Sequence, residues 1–162
     1  MNPLRAPRTR AVLVAAISAI AVAAIGGTMT DLGPWYRGLA KPPWQPPDAA
    51  FGPIWTAIFA CAAASGVIAW RQARTAAARE WIIGLFALNG FLNVLWSLLF
   101  FRLRRPDWAL MEVAGLWLSI ILLILFLLRL SRTASALLVP YLMWVSIAAA
   151  LNLEVVRLNP AF

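Results

Sequence analysis

The sequence contains no histidine and a single cysteine, Cys61, among its 162 residues. Zinc sites are built mainly from cysteine and histidine, and a Cys–His nucleophile pair needs both residue types. A disulfide within one chain needs two cysteines. The sequence therefore predicts no metal site, no thiol nucleophile paired with histidine and no internal disulfide. We expect Cys61 to be a small apolar residue inside a helix.

The chain is also poor in charge, since Asp, Glu, Lys and Arg together make up 12% of it and only six residues are acidic. The 14 Lys and Arg residues give a formal net charge of +8, which in a soluble chain would suggest nucleic-acid binding. These cations instead lie at the ends of apolar runs, where they can anchor a membrane protein to lipid headgroups. We therefore predict no nucleic-acid partner.

Apolar sequence is abundant, at 63% hydrophobic residues and a mean hydropathy of +0.81. A membrane-spanning helix needs about 20 apolar residues. The first run follows several arginines, as signal peptides also do, but it can span most of a bilayer and we expect a retained helix. The tails and loops are too short for a soluble domain. The sequence predicts one domain, residues 1–162, that is an all-α integral membrane protein with a bundle of five transmembrane helices, at about 11–28, 54–70, 81–101, 108–130 and 135–156.

The connection between the first two runs, about residues 29–53, is rich in proline and tryptophan. From Trp35 to Trp55 the chain reads WYRGLAKPPWQPPDAAFGPIW. Proline donates no backbone N–H, so one continuous helix is excluded, yet proline-rich chain is semi-rigid. The aromatic side chains add stiff, amphipathic surface. Two interpretations stay open, a membrane-surface loop with an aromatic belt and a lid that shapes a ligand site.

Small residues recur at every fourth position of the first run, from Ala11 to Gly27. Such a stripe lets helix backbones approach closely in lipid. The partner helix can belong to the same chain or to a second copy, and we favour packing within the chain. The fourth run is apolar on all sides from Gly115 to Leu130, which predicts a lipid-facing helix.

Polar side chains follow one face of the third run. Asn89 and Asn93 are four residues apart, and Trp96 and Ser97 continue the same side. An amide in hydrocarbon must find a partner, so we expect both asparagines to point inward. They are either helix-to-helix hydrogen bonds or the polar wall of a pocket.

The fifth run contains a tryptophan, Trp144, that lies too far from either end to be an interfacial residue. Ala148 shares its face and leaves space in front of it. Two carboxylates also fall within apolar runs, which makes them functional candidates. Both lie near helix ends, where water or an arginine can reach them, and we expect Glu154 to form a structural pair with Arg157. The other carboxylate is Glu112.

Three patterns together resemble the TspO/MBR family, the tryptophan-rich sensory proteins of bacteria and the mitochondrial translocator (peripheral benzodiazepine receptor) protein. They are W-Y-x-x-L-x-K-P-x-W-x-P-P-x-x-x-F-x-x-x-W, then L-N-x-x-x-N-x-x-W-S-x-x-F-F, then P-Y-L-x-W-x-x-x-A-x-x-L-N. The match covers nearly the whole chain, from the first run to the end of the fifth. The resemblance implies a five-helix bundle, commonly a homodimer, whose ligand pocket is closed at one end by the loop between the first two helices.

The resemblance also implies ligands and site residues. Members of the family bind porphyrins and haem-like tetrapyrroles, sterols, and isoquinoline or benzodiazepine compounds. Leu153 stands where the proposed sterol signature of animal members needs an aromatic residue, so we favour a tetrapyrrole, bound as a ligand and without a histidine on its metal. Carried onto matching positions, and with Asn89 added from its face, the predicted ligand-binding residues are Trp35, Tyr36, Pro46, Trp55, Asn89, Asn93, Trp96, Ser97, Trp144 and Ala148.

The sequence thus predicts a multi-pass protein of a bacterial membrane that acts as a non-enzymatic sensor or carrier of porphyrin-type tetrapyrroles, with sterol or benzodiazepine-like compounds as further ligands. Two alternatives remain. The first is light- and oxygen-dependent breakdown of bound porphyrin, with Trp55 and Trp144 as the participating pair. The second is small-molecule transport, suggested by Glu112, although no charged residues line the middle of any helix and no inverted repeat is evident.

Overall fold

The structure of the chain, a computed structural model, describes residues 8–160, with side chains from residue 11 onward. The described residues are helical and form no strand. Five segments are long and apolar enough to cross a membrane, namely Ala11–Met29, Asp48–Gln72, Ala76–Arg102, Pro106–Leu128 and Arg132–Leu158. The predicted all-α, five-helix class is confirmed. The helices are α1 Arg8–Met29, α2 Pro34–Gly38, α3 Asp48–Gln72, α4 Ala76–Ser97, α5 Pro106–Leu128, α6 Arg132–Ala136 and α7 Val139–Leu158, and a π-helical turn, Leu98–Arg102, continues α4. Residues 1–7 and 161–162 of the predicted domain lie outside the described part.

The proline-rich connection is shorter than the predicted loop 29–53. The short helix α2 interrupts it, and α3 begins at Asp48 instead of residue 54. Pro53 therefore lies inside α3. Pro53 is the sixth residue of this helix, so its missing N–H leaves the Ala49 carbonyl without its usual helical partner, and α3 continues past it. We call residues 30–47 the lid segment.

The fifth spanning segment is broken, whereas one helix over 135–156 was expected. α6 ends at Ala136 and α7 begins at Val139, with Pro140 in the first turn of α7. Proline has no N–H for the carbonyl four residues earlier, but it suits the start of a helix. The break therefore lies where the sequence places this proline.

The fourth spanning helix, α5, is enclosed along one face, so the prediction of a lipid-facing helix holds for its other face only. One face is fully buried at Ile120, Leu123 and Leu127, because it packs against α4, α6 and α7. The opposite face, with Leu118 and Leu122, is exposed. In lipid both faces of a helix can be apolar, so hydropathy alone does not separate them.

α1 is the outermost helix, and none of the residues in its membrane span is buried. It packs against α3 and α4. The approach to α4 is close, since a Cβ on Gly90 would come within 3.0 Å of Val22 Cγ2. Ala15 and Ala16 meet Ala63 and Ala64 of α3 across a shallow apolar crevice. Ala15 of the small-residue stripe therefore faces α3 of the same chain.

Two buried hydroxyls join α6 to α3 and α5 at the end of the bundle away from the lid segment. Ser65 of α3 donates to the carbonyl of Ala134 at 2.7 Å, and Ser135 donates to the carbonyl of Ile124 at 2.9 Å. Cys61 is a half-buried residue within α3, as predicted. These bonds lie at the end of the bundle away from the lid segment. The open space described below lies at the opposite end, beneath the lid segment.

Candidate functional site

A cavity of about 610 Å³ lies between α1, α3, α4 and α7, with the lid segment at its mouth. Ligand pockets in proteins typically have volumes of about 300–1,000 Å³, so this space is large enough for a small organic molecule. The structure brings seven of the ten predicted site residues to its wall: Tyr36, Trp55, Asn93, Trp96, Ser97, Trp144 and Ala148.

Seven of the 20 residues that line the cavity are aromatic, and several of their rings are held by contacts with other rings. Trp55 stacks on Phe59, with ring centroids 5.5 Å apart and planes at 25°. Its other neighbour, Tyr141, meets it edge-on at 6.1 Å. Trp144 makes a T-shaped contact with Phe51 at 5.5 Å. Such pairs add about 0.5–1.5 kcal/mol each beyond area burial, so the indole faces are positioned before any ligand enters.

A second aromatic group closes the lid end of the cavity. Trp96 stacks on Phe100 at 5.1 Å and 26°, and Phe101 contacts Tyr36 of α2 at 5.6 Å. The π-helical turn carries both phenylalanines and directs Phe100 into the core and Phe101 to the cavity. Single π turns in helices are frequent at functional sites. Here the turn joins α4 to the lid.

The polar side chains of the wall are tied to the helices behind it. Asn93 Nδ2 donates to the hydroxyl of Tyr141 at 3.1 Å. Trp96 Nε1 donates to Asn152 Oδ1 at 3.1 Å, and the Asn152 amide donates in turn to the carbonyl of Pro106 at 2.8 Å. These bonds fix the orientation of groups that line the cavity.

Trp144 differs from the other wall residues, because its buried Nε1 has no hydrogen-bond partner among the described atoms. The ring is 7% exposed. A buried N–H that is left unpaired costs about 1–3 kcal/mol. A ligand acceptor that reached this indole would recover part of that free energy.

Asn89 lies outside the cavity wall. Its Nδ2 donates to Ser119 Oγ of α5 at 2.9 Å, and the serine donates to the carbonyl of Leu116 at 2.7 Å. Asn89 therefore serves only as an interhelix hydrogen bond, whereas Asn93 makes an interhelix hydrogen bond and also lines the cavity. The sequence shows that the two asparagines share a helix face, but it does not show how far along α4 the cavity extends.

Two predicted lid residues support the lid without lining the cavity. Trp35 packs edge-on against Phe100 at 6.2 Å, and the Arg104 guanidinium lies 5.9 Å from its ring centroid. Pro46 is half-buried in the lid segment. Neither residue is part of the wall.

The lid segment is held to the bundle at two points. The Tyr36 hydroxyl donates to Asp48 Oδ1 at 3.1 Å and accepts from Gln45 Nε2 at 3.2 Å. At the second point Asn159, just after α7, pairs with both backbone groups of Ala40, accepting from its N–H at 3.0 Å and donating to its carbonyl at 2.9 Å. The sequence left two interpretations of this connection, a lid over a ligand site and a membrane-surface loop. Tyr36 lines the cavity and so fits the lid, whereas the half-exposed Trp44 fits the surface loop.

Burial, with the Asp48 carboxylate as a second cause, raises the pKa of Tyr36 from its ordinary value of 10.0 to about 12. The phenol therefore stays protonated at neutral pH and can donate to Asp48. The Lys41 ammonium lies 3.9 Å from the centroid of the same ring. Both residues belong to the lid segment, so this cation–π contact stabilises the segment internally.

Sequence reasoning missed several wall residues. Phe59 follows Trp55 by four residues within the predicted second helix, so helical spacing alone could have placed both on one face. Phe51 precedes Trp55 by the same interval but fell within the predicted loop. Asp48, a charged residue of the wall, gave no signal because it fell within the predicted loop. Ala23 and Gly27 of α1 also line the cavity, although their pattern indicated only close packing. Within residues 11–160 no three His, Cys, Asp or Glu side chains come together, so the wall offers stacking and hydrogen bonds.

Comparison with known proteins agrees with this architecture. The TspO/MBR family model matches residues 11–158. The tryptophan-rich protein TspO of Chlorobaculum tepidum is 40% identical over 150 residues, which cover 87% of this chain and 90% of the relative. The tryptophan-rich sensory protein of Cereibacter sphaeroides is 31% identical over 143 residues, 88% of each chain.

A more distant relative is the human translocator protein, which is 29% identical over 126 residues, or 77% of this chain and 75% of the relative. The bacterial and human matches each extend over most of the described helices. The five apolar spans, the family match and these relatives agree with one another. The chain therefore belongs to the TspO/MBR family and is a multi-pass integral membrane protein of the tryptophan-rich sensory and translocator type.

Proposed function

We propose that this protein is a membrane sensor or carrier that binds a flat, largely apolar ring compound of the porphyrin class in the cavity beneath the lid segment. The observation that carries the proposal is the wall itself, where Trp55, Trp96 and Trp144 face one space of about 610 Å³. A conjugated ring is bound well by offset stacking on indoles and by a few fixed polar groups in an apolar cavity. One relative bears the name sensory protein, which is consistent with a binding role.

The proposal is tested by fluorescence titration of the purified protein with protoporphyrin IX, a sterol and a benzodiazepine under the same conditions. Quenching of the cavity tryptophans reports occupancy. We expect saturable binding of the porphyrin at lower concentration than either of the other compounds. Saturable sterol binding without porphyrin binding would reject the ligand class and retain the cavity.

A second candidate function is light- and oxygen-dependent breakdown of a bound porphyrin. It is favoured by the position of Trp55 and Trp144, both of which line the cavity and would be close to a bound photosensitiser. Illumination with and without oxygen, with product counted per protein, separates the two cases. More than one product molecule per protein indicates turnover, whereas at most one indicates damage to the tryptophans.

We also propose that the protein forms a homodimer, as the family resemblance implies. α4 exposes Ile83, Leu88 and Phe91, and an apolar helix face of this kind suits lipid or a second copy. Crosslinking in native membranes at two expression levels tests the proposal. A crosslinked dimer at both levels supports it, and a monomer at both levels contradicts it.

A further inference from the structure

Glu112 of α5 has a buried carboxyl group without a partner. Both of its oxygens are enclosed, and neither has a hydrogen-bond partner among the described residues. The two ion pairs of the described chain join Arg105 to Asp107 and Arg157 to Glu154, so neither includes Glu112. An unpaired carboxylate inside a membrane protein is costly and is a functional candidate by default.

Helical spacing places Glu112 in a polar seam between α4 and α5. It precedes Ser119 by seven residues, which is two turns, so the two side chains share one face. Ser119 accepts from Asn89 of the antiparallel α4. Because the two helices are antiparallel, seven residues back from Ser119 on α5 corresponds to seven residues forward from Asn89 on α4. Glu112 therefore lies near the level of Trp96.

Helical spacing also puts Glu112 close to the cavity wall. Of the three wall residues of α4, Ser97 bonds within its own helix, to the carbonyl of Asn93. The other two donate away from the cavity, Asn93 to the Tyr141 hydroxyl at 3.1 Å and Trp96 to Asn152 Oδ1 at 3.1 Å. By this spacing both donors, together with the Tyr141 hydroxyl, lie near the level of the unpartnered carboxyl group.

Most charged groups on the elements around Glu112 lie towards the ends of the bundle. α5 packs against α4, α6, α7 and the π-helical turn. On the described parts of these elements, the titratable group near the level of Asn93 is Tyr141. The remaining charged residues are Arg79 and Glu80, Arg102, Arg132, and the Glu154–Arg157 pair, with the Asp107–Arg105 pair at the start of α5, five and seven residues before Glu112.

The energetic consequence follows from burial. A carboxylate that is buried without a partner costs several kcal/mol, and a bound proton removes its charge. An ionised Glu112 would need new donors, and by helical spacing the N–H groups of Asn93 and Trp96 lie near its level. We propose that Glu112 is a proton-binding site behind the cavity wall, and that loss of its proton to water draws Asn93 or Trp96 away from its present partner.

Such a site would regulate the cavity. Because Asn93 and Trp96 line the wall, a change in their hydrogen bonds changes the shape and polarity that a ligand meets. Linkage is reciprocal, so a ligand that prefers one wall arrangement also changes the affinity of Glu112 for its proton. This link to ligand binding rests on the proposed function, whereas the proton site itself does not.

Infrared spectroscopy of the full-length protein tests the proton site without a ligand. At neutral pH we expect a carbonyl band of a protonated carboxylic acid that is lost in Glu112→Gln and retained in Glu154→Gln, the matched control with an ion-paired, partly exposed carboxylate. Wild-type protein with isotopically labelled glutamate should shift the band, and this measurement does not depend on the folding of a variant. Absence of the band at neutral pH, or its persistence in Glu112→Gln, would overturn the proposal.

The link to the cavity is tested with protoporphyrin IX as the probe. We expect its affinity for the wild type and for Glu154→Gln to change severalfold across the pH range in which the infrared band disappears. Glu112→Gln should show no change in that range beyond the ionisation of the porphyrin itself. Equal pH dependence in all three proteins would overturn the link, and absence of porphyrin binding in all three would count against the proposed function while the infrared result still decides the role of Glu112.

Discussion

The hydroxyl of Tyr36 donates a hydrogen bond of 3.1 Å to Oδ1 of Asp48, which joins the short lid helix α2 to the first turn of α3. Both residues line the cavity, so this bond is part of its mouth. Gln45 donates to the same carboxylate oxygen at 3.2 Å. A lid held by side chains that also form the wall cannot open without changing the site.

The first prediction concerns the titration of Tyr36. Burial, followed by the charge of Asp48, raises its pKa from 10.0 to about 12. The group is protonated below its ordinary pKa, so the bond to Asp48 is fully present there and is lost as the pH rises through about 12. We expect the near-ultraviolet absorbance of tyrosinate from Tyr36 to appear near pH 12.

Two variants assign this signal. Tyr36→Phe should remove the transition, and Asp48→Asn should move it part of the way back towards 10, because burial is the larger cause. The chain has one other tyrosine, Tyr141, and Tyr141→Phe identifies its separate contribution to the tyrosinate absorbance. A Tyr36 transition at its ordinary pH in the wild type would contradict the buried, hydrogen-bonded lid.

The second prediction compares two tryptophans. Trp144→Phe should weaken porphyrin binding by up to about tenfold, since loss of an indole face costs about 0.5–1.5 kcal/mol. Trp81→Phe is the matched control, because Trp81 is 61% exposed while Trp144 is 7% exposed. Fluorescence titration of both variants measures the difference. Equal losses of affinity would count against the cavity as the binding site.

Sequence reasoning goes far for this chain because membrane helices carry simple signals. The five spans follow from hydropathy, and the inward face of α4 follows from the spacing of Asn89 and Asn93, since amides avoid hydrocarbon. The buried face of α5 does not follow, because lipid and protein neighbours are equally apolar to a leucine. The helix starts near the two prolines also differ from prediction. α3 begins at Asp48 and continues through Pro53, whereas Pro140 lies in the first turn of α7, where proline is well tolerated.

Within the site, the side chains that carry a strong chemical preference are the predictable ones. Trp144 stands out because a tryptophan so far from the interface needs a reason. Phe51 and Phe101 do not stand out, because a phenylalanine in a membrane helix is ordinary on any face. Assignment of these residues to the wall depends on the start of α3 and on the π-helical turn, and neither is evident in the residue pattern.

The third prediction fills the cavity. Ala148 lies on the wall, and Ala148→Leu would put three further carbons into the space of a ligand. Overpacking typically costs about 1–3 kcal/mol, so we expect porphyrin affinity to fall by about five- to a hundredfold. Thermal stability should change little, because the added atoms enter open space. Ala150→Leu on the exposed face of α7 is the control, and an equal effect there would contradict the cavity-filling explanation.

The fourth prediction concerns the second attachment of the lid segment. Asn159 makes two hydrogen bonds to the backbone of Ala40, of 3.0 and 2.9 Å, and a third to the carbonyl of Val155 at 2.8 Å. Each such bond is worth about 1 kcal/mol net, so Asn159→Ala should favour local opening of the lid by about 2 kcal/mol, or about thirtyfold. Hydrogen exchange at the Ala40 amide, followed by mass spectrometry, reports the loss of this attachment, since that amide donates to Asn159 itself. Thr28→Ala is the control, since its hydroxyl bonds only within α1, to the carbonyl of Ile25. Exchange at Ala40 that is as fast in this control as in Asn159→Ala would mean that Asn159 does not hold the lid.

The lid also covers the cavity, so the same variant should affect the ligand. Porphyrin should dissociate faster from Asn159→Ala than from the wild type, whereas the wall residues that stack on the ring remain in place.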